Sequence, residues 1–447
     1  MRRLIETLQN IWRIQELKEK ILLTLGLLLI YRLGSNVLLP GINPDSLEGL
    51  QNQTQDGLLG ILDAFTGGAF SNASVLALGI MPYISASIVI QLLGMAIPGI
   101  QKMQKEGESG RKKLNQITRY LTILIAGAQA PGYIANLMMQ NVQLTVNPGI
   151  FWFTAWIVLV SGTIFAMWLG EKITDKGIGN GISLLIMVGI IARLPQSFLQ
   201  ELLGTTSNGG GLVIFLIEIA ALYLVILFAI ALVQAVRKVP VQYARRAAGG
   251  RMAGQPMARQ YIPLKVNAAG VMPIIFAQAI MFIPVTLLQY SGAESESLGW
   301  VVTFFGNIQG FWYNFIFGVL IILFTYFYTA IQVNTNNIAD DLKRNGGFIP
   351  GIKPGKTTAE YLDTILSRIT LPGSILLALV AVLPAVAMQT GMNTQWAYFY
   401  GGTSLLIIVG VVLDTLQQIE SYLLSRHYDG LMKTGRLRGR STANAAI

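Results

Sequence analysis

The sequence contains no cysteine and a single histidine, His427, and only 12% of its 447 residues are charged. Without cysteine there are no disulfides and no thiolate clusters, and one imidazole in the tail cannot build a His-based metal site or activate a serine within an apolar region. Acidic residues are scarcer than basic ones, 22 against 32, for a net charge of +10. Hydrophobic residues make up 53% of the chain and mean hydropathy is +0.55. Apolar runs of about 20 residues, the length that crosses a ~30 Å hydrocarbon core, recur throughout. The composition predicts an all-α membrane protein that spans the bilayer many times.

Ten spans are expected, at about 21–39, 75–97, 120–140, 150–170, 178–198, 212–236, 266–289, 311–333, 369–389 and 397–416. The first ends in PGINP without a small-residue cleavage signature, which favours a retained span over a signal peptide. Before it, Leu4, Ile5, Leu8, Ile11, Trp12 and Leu17 recur at helical spacing among charges, the pattern of a helix lying in the interface over residues 1–20. Of the 32 Lys and Arg, 30 fall in the termini and in segments 98–119, 171–177, 237–265 and 334–368, all of which an even number of crossings places on one side. The exceptions are Arg32 and Arg193, within or at the end of spans. By the positive-inside rule both termini are expected in the cytoplasm.

GTTSNGGG, residues 204–211, has the composition of an external linker and divides the spans five and five. An odd number per half inverts one half relative to the other, so a pathway is expected between them. The expected organisation is therefore an interfacial helix (1–20), an N-terminal half (21–203), the linker (204–211), a C-terminal half (212–425) and a basic tail (426–447). In the C-terminal half, loops 237–265 and 334–368 are long, basic and rich in glycine and proline. Positive charge alone would hold topology, and for segment 98–119 that reading weighs as much as docking. In the two long loops, docking of a phosphate-rich or acidic partner is favoured.

The stretch ALGIMPYISASIVIQLL, from Ala77 to Leu93, is apolar enough to span but carries Pro82 in its interior, with Ser85 and Ser87 beyond. Such a helix suits the wall of a pathway, where neighbours or water satisfy the freed backbone groups. KGIGNGIS, from Lys176, superficially resembles a phosphate loop. It lacks the Gly-Lys-Ser/Thr ending and opens a span, so tight re-entry into the membrane is the preferred reading. Ionisable groups near the midplane, which an ion-coupled carrier or proton relay would need, are nearly missing: Glu218 lies near an outer span end and Asp414 near an inner one. For Arg32, pairing inside the bundle outweighs contact with a substrate.

FTGGAF, ALGIMPYISASIVIQLL, KEGESGRKK, MWLGEKITDKGIGNGIS, YIPLKVNAAGVMPIIFA, LKRNGGFIPGIKPG and YFYGGTSLLIIVG occur in that order. In these motifs the chain resembles bacterial SecY-family channel subunits over essentially its whole length. The resemblance implies two inverted five-helix halves around an hourglass-shaped, protein-conducting pore, without cofactor or enzymatic activity. Carried over by motif, the apolar ring at the waist comprises Ile80, Ile84, Ile182, Ile186, Ile275 and Ile407. β-Branched side chains are stiff, and an apolar constriction excludes ions by dewetting. A plug at about 58–74, with Phe65, Thr66, Gly67 and Gly68, would close the ring from outside. A lateral gate of the second, third, seventh and eighth spans would include Pro82, Ser87, Gln129 and Asn267, the last two placed to bond across it.

The resemblance further implies small partner subunits SecE and SecG, and docking of the motor ATPase SecA and the ribosome on the basic loops. Candidate contacts are Arg245, Arg246, Arg251, Lys343, Arg344, Lys353 and Lys356. Lys353 stands where the family usually carries arginine, which keeps the charge but not the bidentate fork. Signal peptides and nascent chains would pass or leave laterally into lipid, in a bacterial inner membrane. A secondary transporter, which also uses inverted repeats, is the competing class; a midplane carboxylate would favour it and none is seen. An intramembrane enzyme ranks behind both, for lack of any catalytic set.

Overall fold

A computed structural model of the chain describes residues 12, 14–53, 57–140, 142–207, 211–243, 260–278, 280–281 and 309–434. Apolar runs become helices because a helix satisfies every backbone hydrogen bond within its own segment, which the bilayer core demands. Along the N-terminal half these are α1 (Gln15–Gly34), α2 (Glu48–Gln53), α3 (Gly57–Thr66), α4 (Met81–Ala96), α5 (Pro98–Lys105), α6 (Glu108–Met139), α7 (Pro148–Lys176) and α8 (Gly181–Ser207). The C-terminal half contains α9 (Gly211–Gln234), a helical stretch at 272–278, α10 (Phe311–Gln332), α11 (Thr335–Arg344), α12 (Lys356–Gln389), α13 (Thr394–Ala397) and α14 (Gly402–Thr434).

Among the described residues, seven helices are long and apolar enough to cross a membrane. A further pair, Met81–Gly94 and Pro98–Gln104, meets at 106° and counts as an eighth if it is one broken span. The break lies at Ile97, whose extended backbone (φ −109°, ψ 113°) is what a residue preceding proline adopts. The helix α1 has the length of a span but carries Glu16, Lys18, Glu19 and Lys20 at its start and Arg32 at its end. Each of the ten expected spans overlaps a helix, the seventh only through its described part.

The helices outrun the apolar runs. The expected third span, 120–140, is the C-terminal part of α6, which begins at Glu108. A second difference concerns Pro82, expected inside a span. The helix α4 begins at Met81 with Ile80 as its N-cap, so Pro82 occupies the first turn, where the missing N–H had no partner to lose. Gly79, with φ +52°, makes the turn into it. The proline starts this helix rather than interrupting it.

The third difference is a small sheet. The strands β1 (Val236–Tyr243) and β2 (Gln260–Lys265) pair antiparallel, with Val236 opposite Lys265 and Val241 opposite Gln260. The two-residue β3 (Gly347–Phe348) adds to the far end of β1, in the order β2-β1-β3. One face of this hairpin buries Val239, Val241 and Leu264 against Leu342, Ile349, Leu362 and Leu366. The two long basic loops thus share a hydrophobic core. Within the described part of the otherwise helical chain, the sheet is confined to these loops.

Candidate functional site

The largest buried cluster lies where α4, α8, α12 and α14 approach one another. It contains Ile80, Ile186 and Ile407 as buried members, with Ile84 and Ile182 packed against it, half-buried. Ile80 and Ile84 are one turn apart, the N–H of Ile84 donating to the carbonyl of Ile80 at 3.0 Å. Five of the six expected ring residues therefore come together. Ile275 is half-buried on the 272–278 helix and is not in the cluster; its neighbour one turn earlier, Val271, is packed against it.

Re-entry after α7 puts Ile182 and Ile186 in place. Gly179 is left-handed (φ +83°), and Asn180 Oδ1 accepts from the N–H of Ile182 at 3.2 Å, capping α8. A Cβ on Gly181 would lie 2.0 Å from the carbonyl oxygen of Gly170 on α7, so only glycine allows this approach. Gln418 of α14 and Thr24 of α1 accept from the N–H groups of Gly179 and Ile178 at 2.9 and 3.1 Å. KGIGNGIS is thus a packing junction joining the first, fourth, fifth and tenth expected spans.

Phe65, Thr66, Gly67 and Gly68 occupy the end of α3 and the turn after it. Phe65 packs against the central cluster. The Thr66 hydroxyl donates to the Asp63 carbonyl and accepts from the N–H of Phe70. Gly67 and Gly68 are both left-handed, with φ +66° and +90°. A Cβ on Gly67 would sit 2.7 Å from the Cα of Gly189 in α8, so the turn crosses that helix backbone to backbone. Two arginines hold the segment: Arg193 pairs with Asp63, and Arg32 donates to the Gly67 carbonyl at 2.6 Å. Pairing inside the bundle, the favoured reading of Arg32, is what is observed.

The four expected gate residues do not bond to one another. Ser87 accepts from Gln91 within α4 at 3.4 Å, Gln129 is exposed on α6, and Pro82 is buried. Asn267 is buried, and its Oδ1 finds no partner among the described residues. A contact that sequence reading missed does cross between the halves: the Tyr328 hydroxyl of α10 donates to Gln91 Oε1 at 2.5 Å. The Phe276 ring lies tilted by 55° against that of Tyr328, with centroids 5.8 Å apart. Gln91 had a signal, being the one amide in the apolar run 77–93, but nothing local pointed to a tyrosine 237 residues away.

On the sheet-bearing face, Lys343 and Arg344 end α11, and Lys353 and Lys356 flank the start of α12, all exposed. Arg237, Lys238 and Lys265 are exposed on the hairpin beside them. Arg245, Arg246 and Arg251 lie outside the described residues. Among the described residues there is no cluster of three His, Cys, Asp or Glu able to hold a metal ion.

Helices of both halves meet on one buried apolar cluster with a short segment packed against it, the arrangement expected of a membrane channel. A family profile for SecY matches residues 74–416. The chain is 43% identical to protein translocase subunit SecY of Halalkalibacterium halodurans, covering 96% of this chain and all of that one. It is 40% identical to the protein of the same name from Chlamydia trachomatis, covering 97% and 99%, and 40% identical to that of Haemophilus influenzae, covering 95% and 96%. Among solved structures, a protein-conducting channel superposes with a TM-score of 0.66 at 18% identity, over 93% of this chain and 94% of that one. The Sec61 channel of the canine ribosome–channel complex gives 0.64 at 18%, over 93% and 95%. The chain belongs to the SecY family. It is a multi-pass membrane protein and a protein-conducting translocation channel, not an enzyme.

Proposed function

We propose that the isoleucine cluster is the seal and the conducting constriction of this channel, through which unfolded polypeptides pass and from which apolar segments leave sideways. The observation that carries this reading is the convergence of Ile80, Ile84, Ile182, Ile186 and Ile407, from helices of both halves, on one buried apolar centre. Such a centre excludes water and offers a moving chain no hydrogen bonds to stick to. Ile275 completes the ring in this reading. The segment 58–74 is the plug, supported by the packing of Phe65 on the cluster. A similar solved structure (TM-score 0.63, 17% identity) lends further support, since it is of a SecY whose plug domain stabilises the closed state and maintains a membrane seal.

The lateral gate runs along α4 and α6 on one side and the 272–278 helix and α10 on the other, with Gln91–Tyr328 as a closed-state bond and Pro82, Ser87, Gln129 and Asn267 along its lips. Partitioning can sort segments there: a central Leu gains roughly 0.3–0.6 kcal/mol in lipid, while one Arg or Asp costs about 2.5–3.5 kcal/mol. The chain sits in a bacterial inner membrane with both termini in the cytoplasm, a reading that the distribution of Lys and Arg supports. SecE and SecG are its stable partners. SecA or the ribosome docks on the sheet-bearing face through Lys343, Arg344, Lys353, Lys356 and the hairpin arginines 245, 246 and 251. The ribosome-bound state of the similar canine channel supports that assignment.

Crosslinking tests the reading. A stalled secretory chain should crosslink to probes at successive positions of α4 and of the 272–278 helix, with a signal peptide contacting both at once. Crosslinks confined to one half, or to the lipid-facing side of α9, would contradict it.

A further inference from the structure

The basic residues outside the cytoplasmic segments, Arg32 and Arg193, both bind the plug segment. Asp63 of α3 is completely buried and pairs with the guanidinium of Arg193 on α8, which is 18% exposed. Asp63 Oδ1 also accepts from the N–H of Ser71 at 2.8 Å, while Arg193 Nη2 donates to the Ser71 hydroxyl at 3.0 Å. Asp63, Ser71 and Arg193 therefore close a loop of contacts tying both ends of the plug turn to one helix. Arg32 adds its bond to Gly67 and a 3.2 Å bond to Ser35. Those of these polar contacts that leave the segment go to Arg32 of α1 or Arg193 of α8, in the N-terminal half. On the side facing the C-terminal half, a crevice lined by Gly60, Ala64, Ile190, Arg193, Tyr398 and Phe399 runs beside the ion pair.

We propose that Asp63–Arg193 is a water-sensitive latch that sets how readily a signal sequence opens this channel. The proposal rests on the plug reading above and assigns the pair that determines its stringency. A carboxylate with no exposure cannot leave its guanidinium while the surroundings stay dry, because each charge would be stranded in a low dielectric. Separating the halves is not enough, since the contacts of Asp63, Ser71 and Gly67 with Arg193 and Arg32 stay with the N-terminal half. What separation does is widen the crevice against Tyr398 and Phe399 and admit water to Arg193. Hydration weakens the pair, so wedging the gate and releasing the plug become coupled steps.

The test uses the complete translocase in vesicles, reading resting ion leak and the ratio of transport with a defective signal to transport with an intact one. Asp63→Asn and Arg193→Gln should each raise the leak by on the order of tenfold or more, and raise the ratio with it. In the double variant the two effects should not add. If the single variants do not accumulate, the double variant, which strands no charge, is measured instead and should leak. A merely structural pair would lower transport of both substrates without raising leak or ratio. That result, wild-type leak in any variant that accumulates, or failure of all three variants to accumulate, overturns the latch. Shortening residues 58–74 is the control: leak there without leak in Asp63→Asn sinks the latch alone, and no leak in either sinks the plug reading.

Discussion

At the residue scale, the isoleucines of the proposed ring and the arginines that hold the proposed plug differ in how far they can be read from local context. An isoleucine in an apolar run is ordinarily packing, and Ile173, Ile190 and Ile408 share the same cluster, so the five expected ring residues are set apart by their motifs and not by burial. Ile407 is fully packed within α14, whereas Ile84 is half-buried on α4. An amide at either place must be hydrated or bonded, because burying it unpaired costs about 1–3 kcal/mol. Ile407→Asn and Ile84→Asn should therefore wet the constriction. Ion flux through resting channels in vesicles should rise and defective signal sequences should be accepted, most for Ile407, where the surrounding packing is closest. Unchanged flux and stringency in both would remove the seal from this cluster. Arg32 and Arg193 stood out in the sequence because they broke the charge alternation, but their partners did not: Asp63 lies 130 positions before Arg193, and Gly67 offers only a carbonyl.

At the scale of elements, what was legible is what the bilayer enforces. Apolar runs of about 20 residues located the spans, because in lipid such a run has few alternatives to helix. Their ends were not legible, since nothing stops a helix at the membrane surface; α6 runs twelve residues inward of its apolar run, from Glu108 to Arg119, where Arg119 forms a bidentate pair with Glu171 of α7 at 2.8 and 2.7 Å. The strands were hidden for a different reason. Val239 and Val241 alternate as a half-buried strand should, but within a loop whose Arg, Gly and Pro content reads as irregular. The tight re-entry expected at KGIGNGIS is made by close packing of its glycines, and the structure gives that a magnitude. Gly181→Ala would force a Cβ to 2.0 Å from the Gly170 carbonyl, so α7 and α8 must move apart. The expected result is a loss of about 2 kcal/mol or more, seen as a lower melting temperature in detergent and poor accumulation. Gly204→Ala, whose Cβ meets nothing within 4 Å, should be neutral.

At the scale of the whole molecule, the chain is two helical halves with a folded platform on one face, and one helix joins that platform to the central cluster. The antiparallel β1–β2 pair and β3 share the core of Leu342, Ile349 and Leu362 with α11 and the start of α12. The helix α12 then runs from Lys356 to Gln389, with Pro372 and Pro384 in its interior, and reaches the central cluster through Ala387 and Met388. A partner bound to the platform would hold one end of a helix whose other end packs in the central cluster, the proposed constriction. Docking strength should be carried by exposed cations, not by the core beneath them. Lys343, Arg344 and Lys353 are exposed and have no acidic partner among the described residues, so Lys343→Glu, Arg344→Glu and Lys353→Glu together should leave the fold intact. Ribosomal RNA binding should weaken, and its salt dependence should flatten: each lost phosphate contact lowers the slope of log affinity against log salt by about 0.7–0.9. For three contacts the loss approaches about 2–3 units of slope, measurable by titrating ribosomes against vesicles between low and physiological salt. A triple variant that folds and keeps the original slope would show that these side chains do not touch phosphate, and would move the docking surface to the hairpin.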